Sequence, residues 1–163
     1  MNAQLQYEIE QFFYLKSSLC DAQDWDPYLE LFDEQSEFHL PQWDSEHVYT
    51  TDPKRQMSLI YYATRTGLED RVFRLRTGKA SSATPMPRTV HMINNVRLKE
   101  LPDGQLEAKV NWSTLYHRLQ TSDEFFGHAT YHLKQVGDSW KITRKHILLL
   151  NDTINSVLDF YHL

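Results

Sequence analysis

The sequence has little of what the common catalytic and metal-binding motifs require. Cys20 is the only cysteine in 163 residues, so the chain cannot form an internal disulfide, and this usage is typical of a reducing cytoplasm. The five glycines form no phosphate-binding loop. Neither the Gly-x-Ser-x-Gly nucleophile elbow nor the His-Glu-x-x-His zinc motif occurs. These absences exclude the usual sequence signatures of hydrolases, nucleotide-binding enzymes and zinc enzymes.

Charge and hydropathy exclude further classes of partner. The chain carries 17 Lys and Arg against 22 Asp and Glu, a net charge of −5, so it lacks the basic excess that neutralises nucleic-acid phosphates. No run of 18 apolar residues could span a membrane, and residues 1–4 lack the basic start of a signal peptide. We therefore expect a cytoplasmic protein. Its hydrophobic content of 40% predicts one packed domain over residues 1–163.

The C-terminal half of the chain reads as four long strands. Turn-forming residues at 102–104, 121–123 and 137–139 divide strands at 89–101, 105–119, 124–136 and 140–150. Strands of this length are about twice the usual, so the sheet must twist and curl strongly. Gly127, inside a strand, indicates a bulge or a close backbone approach. Two shorter extended runs, 37–40 and 56–63, lie upstream.

Three helical segments are expected before the long strands. In the first, apolar residues recur at helical spacing at Leu5, Ile9, Phe12 and Phe13. The second has Asp26 as its N-cap and Pro27 as its first residue, with an inner stripe that reaches Phe32. The third spans 68–77 and ends at Gly78. Helices first and long antiparallel strands after predict an α+β fold with a cone-like, curled sheet.

Such a cone could enclose an acid–base pocket. Five polar residues are candidates for its lining, namely Tyr14, Asp33, His39, His91 and Asp152. A carboxylate or tyrosine becomes a proton-transfer group where an apolar site shifts its pKa, which would suit a stand-alone isomerase or dehydratase. Phe38, Trp112 and Phe126 could instead fill the interior. The eight histidines show no metal-ligand spacing, and the residues alone do not separate a pocket from buried hydrogen-bonded pairs.

Four stretches carry a resemblance to a known family. They read RVFRLRTG at 71–78, PRTVHMINNV at 87–96, WKITRKHILLLND at 140–152 and LDFY at 158–161. In order and spacing they resemble the small (beta) subunits of aromatic-ring-hydroxylating dioxygenases. The resemblance is greatest to the branch of this family that acts on anthranilate, with the benzoate and 2-halobenzoate branches as near alternatives.

The resemblance implies a fold and a division of labour. The fold would be a mixed, mostly antiparallel cone of the nuclear-transport-factor-like kind, shared with scytalone dehydratase. The partner would be a large (alpha) subunit, three of each per complex, that carries a [2Fe–2S] Rieske cluster and a mononuclear Fe(II). NADH would act through a separate reductase. The resemblance thus implies that the chain itself holds no cofactor, no metal and no catalytic residue. The single cysteine agrees with this, because a Rieske cluster needs two cysteines and two histidines.

Polar residues in strand-like or loop contexts are candidates for contact with the large subunit. These are Trp43, Arg88, His91, Asn94, Asn95, Arg144 and His146. Donors, acceptors and an aromatic anchor are typical of such interfaces, although each could equally form hydrogen bonds within the domain. The apolar tail, 158–161, is expected to pack over its own sheet.

Overall fold

The fold consists of one six-stranded sheet with three helices. The computed structural model describes residues 2–163. Its helices are α1 (Ala3–Asp21), α2 (Trp25–Glu30) and α3 (Thr66–Thr77), with 3₁₀ turns at Ser81–Ala83 and Phe160–His162. Its strands are β1 (Phe32–Pro41), β2 (Ser58–Tyr62), β3 (Arg88–Glu100), β4 (Leu106–Arg118), β5 (Thr121–Val136) and β6 (Ser139–Leu149). No helix within these residues is long and apolar enough to cross a membrane.

The sheet is mixed and mostly antiparallel, as expected. Its strand order is β2-β1-β6-β5-β4-β3, and within residues 2–163 only the β1–β6 pair is parallel. The sheet curls around α1, which packs along β3. Ile9 and Phe13 on the inner side of α1 are fully buried, and the Phe13 ring lies 4.7 Å from the Tyr131 ring of β5. The predicted helix stripe and the cone-like sheet are therefore confirmed.

Strands β5 and β6 approach each other closely at Gly127. A Cβ atom at this position would lie 1.8 Å from the Leu148 carbonyl oxygen of β6, far inside van der Waals contact. Only glycine allows the two backbones to pair here, between Gly127 and Leu149. The sequence-based expectation of a close backbone approach is confirmed.

The predicted turn at residues 121–123 is wrong. Thr121, Ser122 and Asp123 belong to β5 and pair with the end of β4. The chain instead reverses at Leu119 and Gln120, whose φ angles are 51° and 65°. A two-residue hairpin turn whose central residues both have positive φ matches the twist of the flanking strands. Strand pairing thus outweighs the turn preference of Ser and Asp.

The predicted start of the second helix is also wrong. Asp24, not Asp26, occupies the N-cap position of α2, and Asp26 lies in the first turn. Phe32 begins β1 and pairs with Ile142 of β6. The chain leaves the helix early because pairing with β6 satisfies the backbone of this segment and buries the Phe32 ring completely.

The tail closes one end of the cone, which confirms that it packs on its own chain. Residues Phe160, Tyr161 and His162 are buried. The Phe160 ring lies 5.2 Å from Trp25 of α2, while the His162 ring stacks on Tyr116 of β4 at 4.9 Å. The tail therefore joins the helical layer to the sheet.

Candidate functional site

The interior of the cone is filled by side chains. Phe38 and Trp112 are buried inside it, as the filled-cone alternative expects. Phe126 is not, because its side chain lies on the outer face and is 43% exposed. The enclosed space that remains beside Lys16 and Lys145 offers about 10 Å³ to the centre of a water molecule, which is room for a single water-sized occupant. No substrate of an isomerase or dehydratase would fit there.

The five candidate pocket residues do not converge. Tyr14 is 44% exposed on α1, and Asp152 is exposed beyond β6. Asp33 forms an ion pair with Lys134 at 2.7 Å. His39 lies on the outer face of β1. The acid–base pocket that the sequence left open is therefore not assembled.

His91, the remaining candidate, joins β3 to the end of α1. Its Nδ1 lies 2.5 Å from Asp21 Oδ1, and its backbone N–H donates to Asp21 Oδ2 at 3.1 Å. Its Nε2 lies 3.9 Å from Cys20 Sγ. Burial opposes the charged form of both side chains. The contacts with His91 nevertheless lower the pKa of Asp21, while Cys20 and Asp21 together raise the pKa of His91. The imidazole is 5% exposed, so its polar atoms are used inside the chain.

The outer face of β1, β2 and β6 carries a polar and aromatic cluster. Glu37 accepts from Arg144 Nε at 3.0 Å and from the Tyr61 hydroxyl at 2.9 Å. The His39 and His146 rings meet edge to face at 5.3 Å. Burial and the Arg144 charge lower the pKa of His146 to about 4, so this ring is neutral at physiological pH. Arg144 and His146 are thus engaged in local contacts.

A loop of the same chain covers part of this cluster. Trp43 Nε1 donates to the Leu149 carbonyl oxygen of β6 at 2.7 Å, and the Trp43 ring packs on Tyr49 at 5.7 Å. Tyr49 in turn lies 5.8 Å from the His146 ring. Trp43 therefore holds the loop against the sheet.

The outer face of β3, β4 and β5 remains uncovered and partly apolar. Four large apolar side chains there are 41–52% exposed, namely Val90, Met92, Leu115 and Phe126. Val90 pairs with Leu115, and Ser113 lies between Met92 and Phe126, so the four form one patch. Sequence reasoning missed this patch because alternation defines two faces of a strand without saying which one is buried.

Three of the predicted interface residues lie beside this patch. Arg88 and Asn94 are exposed on β3. Asn95, also exposed, has a φ of 53°, and the β3–β4 register shifts between Asn94 and Arg97. The bulge turns polar groups outward at the edge of the apolar patch, as bulges at sheet edges commonly do.

The residues present do not fit an iron centre. A Rieske cluster requires two cysteines and two histidines, and Cys20 is the only cysteine in the chain. Within residues 2–163 no three His, Cys, Asp or Glu side chains come together in an arrangement that could hold a metal ion. Mononuclear non-haem iron needs such a set, two histidines and a carboxylate.

Comparison with known proteins agrees with these features. Residues 16–156 match the family model described as "Ring hydroxylating beta subunit". The chain is 56% identical over 162 residues to the anthranilate 1,2-dioxygenase small subunit of Acinetobacter baylyi, covering 99% of both proteins. The crystal structure of the benzoate 1,2-dioxygenase beta subunit of Burkholderia mallei is similar with a TM-score of 0.79 and 36% identity, covering 95% of each chain.

The similarity in fold also reaches a protein of much lower sequence identity. A scytalone dehydratase-like protein of Novosphingobium aromaticivorans has a TM-score of 0.65 at 12% identity, covering 93% of this chain and 89% of that one. This chain, whose cone is filled by side chains, thus shares the fold of that protein, and the predicted fold class is confirmed. The family match over most of the chain shows that this protein belongs to the ring-hydroxylating dioxygenase beta subunits and is the small subunit of an oxidoreductase complex.

Proposed function

We propose that this chain is the non-catalytic small subunit of an anthranilate 1,2-dioxygenase and supports the assembly of the large subunits that perform the reaction. The observation that carries the structural role is the filled interior, where the enclosed space offers only about 10 Å³ to the centre of a water molecule. The anthranilate assignment is supported by the 56% identity to the Acinetobacter baylyi small subunit. The chain acts as one domain in the cytoplasm.

The proposed complex has three large and three small subunits. The large subunit carries the [2Fe–2S] Rieske cluster and the mononuclear Fe(II), and a separate reductase passes electrons from NADH. The complex adds both atoms of O₂ to anthranilate, and the product loses CO₂ and ammonia to give catechol. In this scheme the small chain contributes rigidity, since β3, β4 and β5 pair along nearly their whole lengths.

The large subunit is proposed to bind the outer face of β3, β4 and β5. The apolar patch supplies the core of the contact, while Arg88, Asn94 and Asn95 supply polar groups at its rim. Each patch residue is about half exposed, and full burial of such a side chain is worth about 1.5–3 kcal/mol. Completing the burial of four side chains would therefore contribute about 3–6 kcal/mol before association costs. Trp43, His91, Arg144 and His146 are left out of the surface because their contacts lie within the chain.

A co-expression assay tests the function. The chain, the large subunit from the same source and a reductase should together convert anthranilate to catechol, with benzoate and 2-halobenzoate as competing substrates. We expect anthranilate to give the highest kcat/KM and the isolated small chain to be inactive. Preferred turnover of benzoate or 2-halobenzoate would overturn the substrate assignment, and turnover by the small chain alone would overturn the structural role.

A pair of variants tests the surface. Leu115→Asp places a charge in the centre of the patch, while Phe73→Asp does the same on α3, where Phe73 is 69% exposed away from the sheet. Both variants should remain folded by circular dichroism. Only Leu115→Asp should fail to co-purify with a tagged large subunit. Equal co-purification of the two variants would show that the large subunit binds elsewhere.

A further inference from the structure

A groove on the outer face of the sheet adjoins the apolar patch. Along β4 the outward-facing positions run from Leu115 through Asn111 to Lys109, so the groove and the patch share one face of this strand. Tyr49 of the covering loop borders the groove, which offers about 470 Å³ to the centres of water molecules. Between β4 and β5, Asn111 Oδ1 lies 2.8 Å from His128 Nδ1. The contact holds these two polar side chains together at the base of the groove.

Two positive charges lie side by side in this groove. Arg97 of β3 and Lys109 of β4 are direct partners across the strands, and both side chains are exposed. Like charges directly opposite each other destabilise a sheet. Across residues 2–163, neither side chain forms an ion pair with an aspartate or a glutamate. Glu107, two residues along β4, lies instead 3.5 Å from His132 Nε2.

The groove has the opposite sign of charge from the chain as a whole. Among the described residues it is lined by Arg97, Lys109 and His128 and by no aspartate or glutamate. The whole chain, in contrast, carries 22 Asp and Glu against 17 Lys and Arg. Charge of one sign that is concentrated in a groove attracts a partner of the other sign. The groove therefore fits a partner that carries carboxylates.

We propose that this groove binds an acidic segment of the large subunit, whose Asp or Glu carboxylates pair with Arg97 and Lys109. This assignment rests on the proposed function, in which the same subunit covers the adjoining apolar patch. The Arg97 guanidinium can hold a carboxylate through two parallel hydrogen bonds. The apolar patch would supply the core of the contact. The charge pairs would fix the register in which the large subunit binds, because a shifted partner would leave them unpaired.

The substitution Arg97→Glu separates binding from stability. It replaces the repulsion with Lys109 by an attraction, so the thermal unfolding midpoint of the isolated chain should equal or exceed that of the wild type. The Kd for the tagged large subunit should nevertheless rise at least about tenfold at low salt. The wild-type Kd should also rise more steeply with salt than the Kd of the variant.

Lys79→Glu is the matched control for this variant. Lys79 is exposed beyond the end of α3, and its substitution makes the same change in net charge. The Kd of this variant should remain that of the wild type. Equal Kd values in Arg97→Glu and Lys79→Glu would overturn the proposal.

Cross-linking of the complex identifies the segment. A carbodiimide joins a lysine amine to a carboxylate that contacts it, so peptides in which Lys109 is linked to an Asp or Glu of the large subunit should appear. Lys109→Arg keeps the charge and should bind normally but lose this cross-link. Cross-links to the large subunit from other lysines of the small chain only would contradict the proposal.

Leu115→Asp distinguishes a failure of this proposal from a failure of the proposed surface. If Leu115→Asp abolishes co-purification while Arg97→Glu binds as tightly as Lys79→Glu, the large subunit covers the apolar patch and no acidic segment enters the groove. If neither Leu115→Asp nor Arg97→Glu weakens binding, the proposed surface and the groove are both wrong.

Discussion

An ion pair between Arg71 and Asp159 helps to hold the tail that closes the cone, and its removal should be measurable. Arg71 of α3 donates from Nε to Asp159 Oδ2 at 3.0 Å, and a second guanidinium nitrogen donates to the same oxygen. Asp159 Oδ1 accepts from the Phe160 N–H at 2.8 Å. The substitution Asp159→Asn keeps an oxygen for the Phe160 amide and removes the charge that Arg71 binds. It therefore isolates the contribution of the ion pair.

The expected loss follows from the burial of the two partners. Asp159 is 4% exposed, whereas Arg71 is 26% exposed. A hydrogen bond to a charged group contributes about 1.5–3 kcal/mol. Because Arg71 can regain water when the charge is lost, we expect a loss around the lower end of this range, about 1–2 kcal/mol. For a chain of this size the midpoint of thermal unfolding should then fall by about 2–8 °C.

Urea unfolding and hydrogen exchange measure this effect. The midpoint urea concentration should fall with an unchanged slope, and the amide protons of residues 160–162 should exchange faster than those of β4 and β5. Asp152→Asn, at an exposed position in the same segment, is the matched control and should leave both quantities unchanged. An equal loss of stability in the two variants, or no loss in Asp159→Asn, would refute the conclusion that this ion pair holds the tail in place.

Three further predictions concern the sheet and its pH response. Gly127→Ala should cost about 2–4 kcal/mol in the free energy of unfolding, because the new methyl group meets the Leu148 carbonyl oxygen at 1.8 Å; urea unfolding at wild-type stability would contradict the close approach. Replacing Leu119 and Gln120 together by Asn and Gly should raise the melting midpoint, since both positions have positive φ, and a lower midpoint would show that the turn carries no strain. Burial lowers the pKa of His162 to about 4. As the pH falls, the unfolded chain therefore takes up a proton on this residue before the folded chain does, and the free energy of unfolding falls by about 3 kcal/mol between pH 6.5 and 4. Denaturation of His162→Phe across that range should show a smaller fall, and an undiminished fall would exclude His162 as its source.

The strand pattern was readable because alternation is a local property of the sequence. Residues along β4 and β5 alternate between buried and exposed positions, and the long strands were predicted within a few residues. The adjacent pair Phe125 and Phe126 shows the limit of this reasoning. One of two neighbouring aromatics must face outward. Phe125 is the buried one because its ring packs on Tyr116 and on His162 of the tail, whereas Phe126 is exposed.

The candidate interface shows the same limit. Arg88, Asn94 and Asn95 lie exposed beside an apolar patch, but His91, in the same predicted set, is turned inward to Asp21. Alternation along β3 places residues 88 and 94 on one face and residue 91 on the other. Only the tertiary structure decides which face is covered, because His91 is turned inward by its contact with Asp21 at the distant end of α1.

By itself the sequence determined the fold class and the family, because strand alternation and motif order are local properties of the sequence. Only the tertiary structure decided that the cone is filled, that two lysines lie inside it, and that the exposed apolar patch lies on β3, β4 and β5. These properties depend on which groups meet across the sheet. Burial and the loss of water depend on contacts between residues far apart in the chain, such as Lys16 and Lys145. No local sequence pattern predicts such contacts.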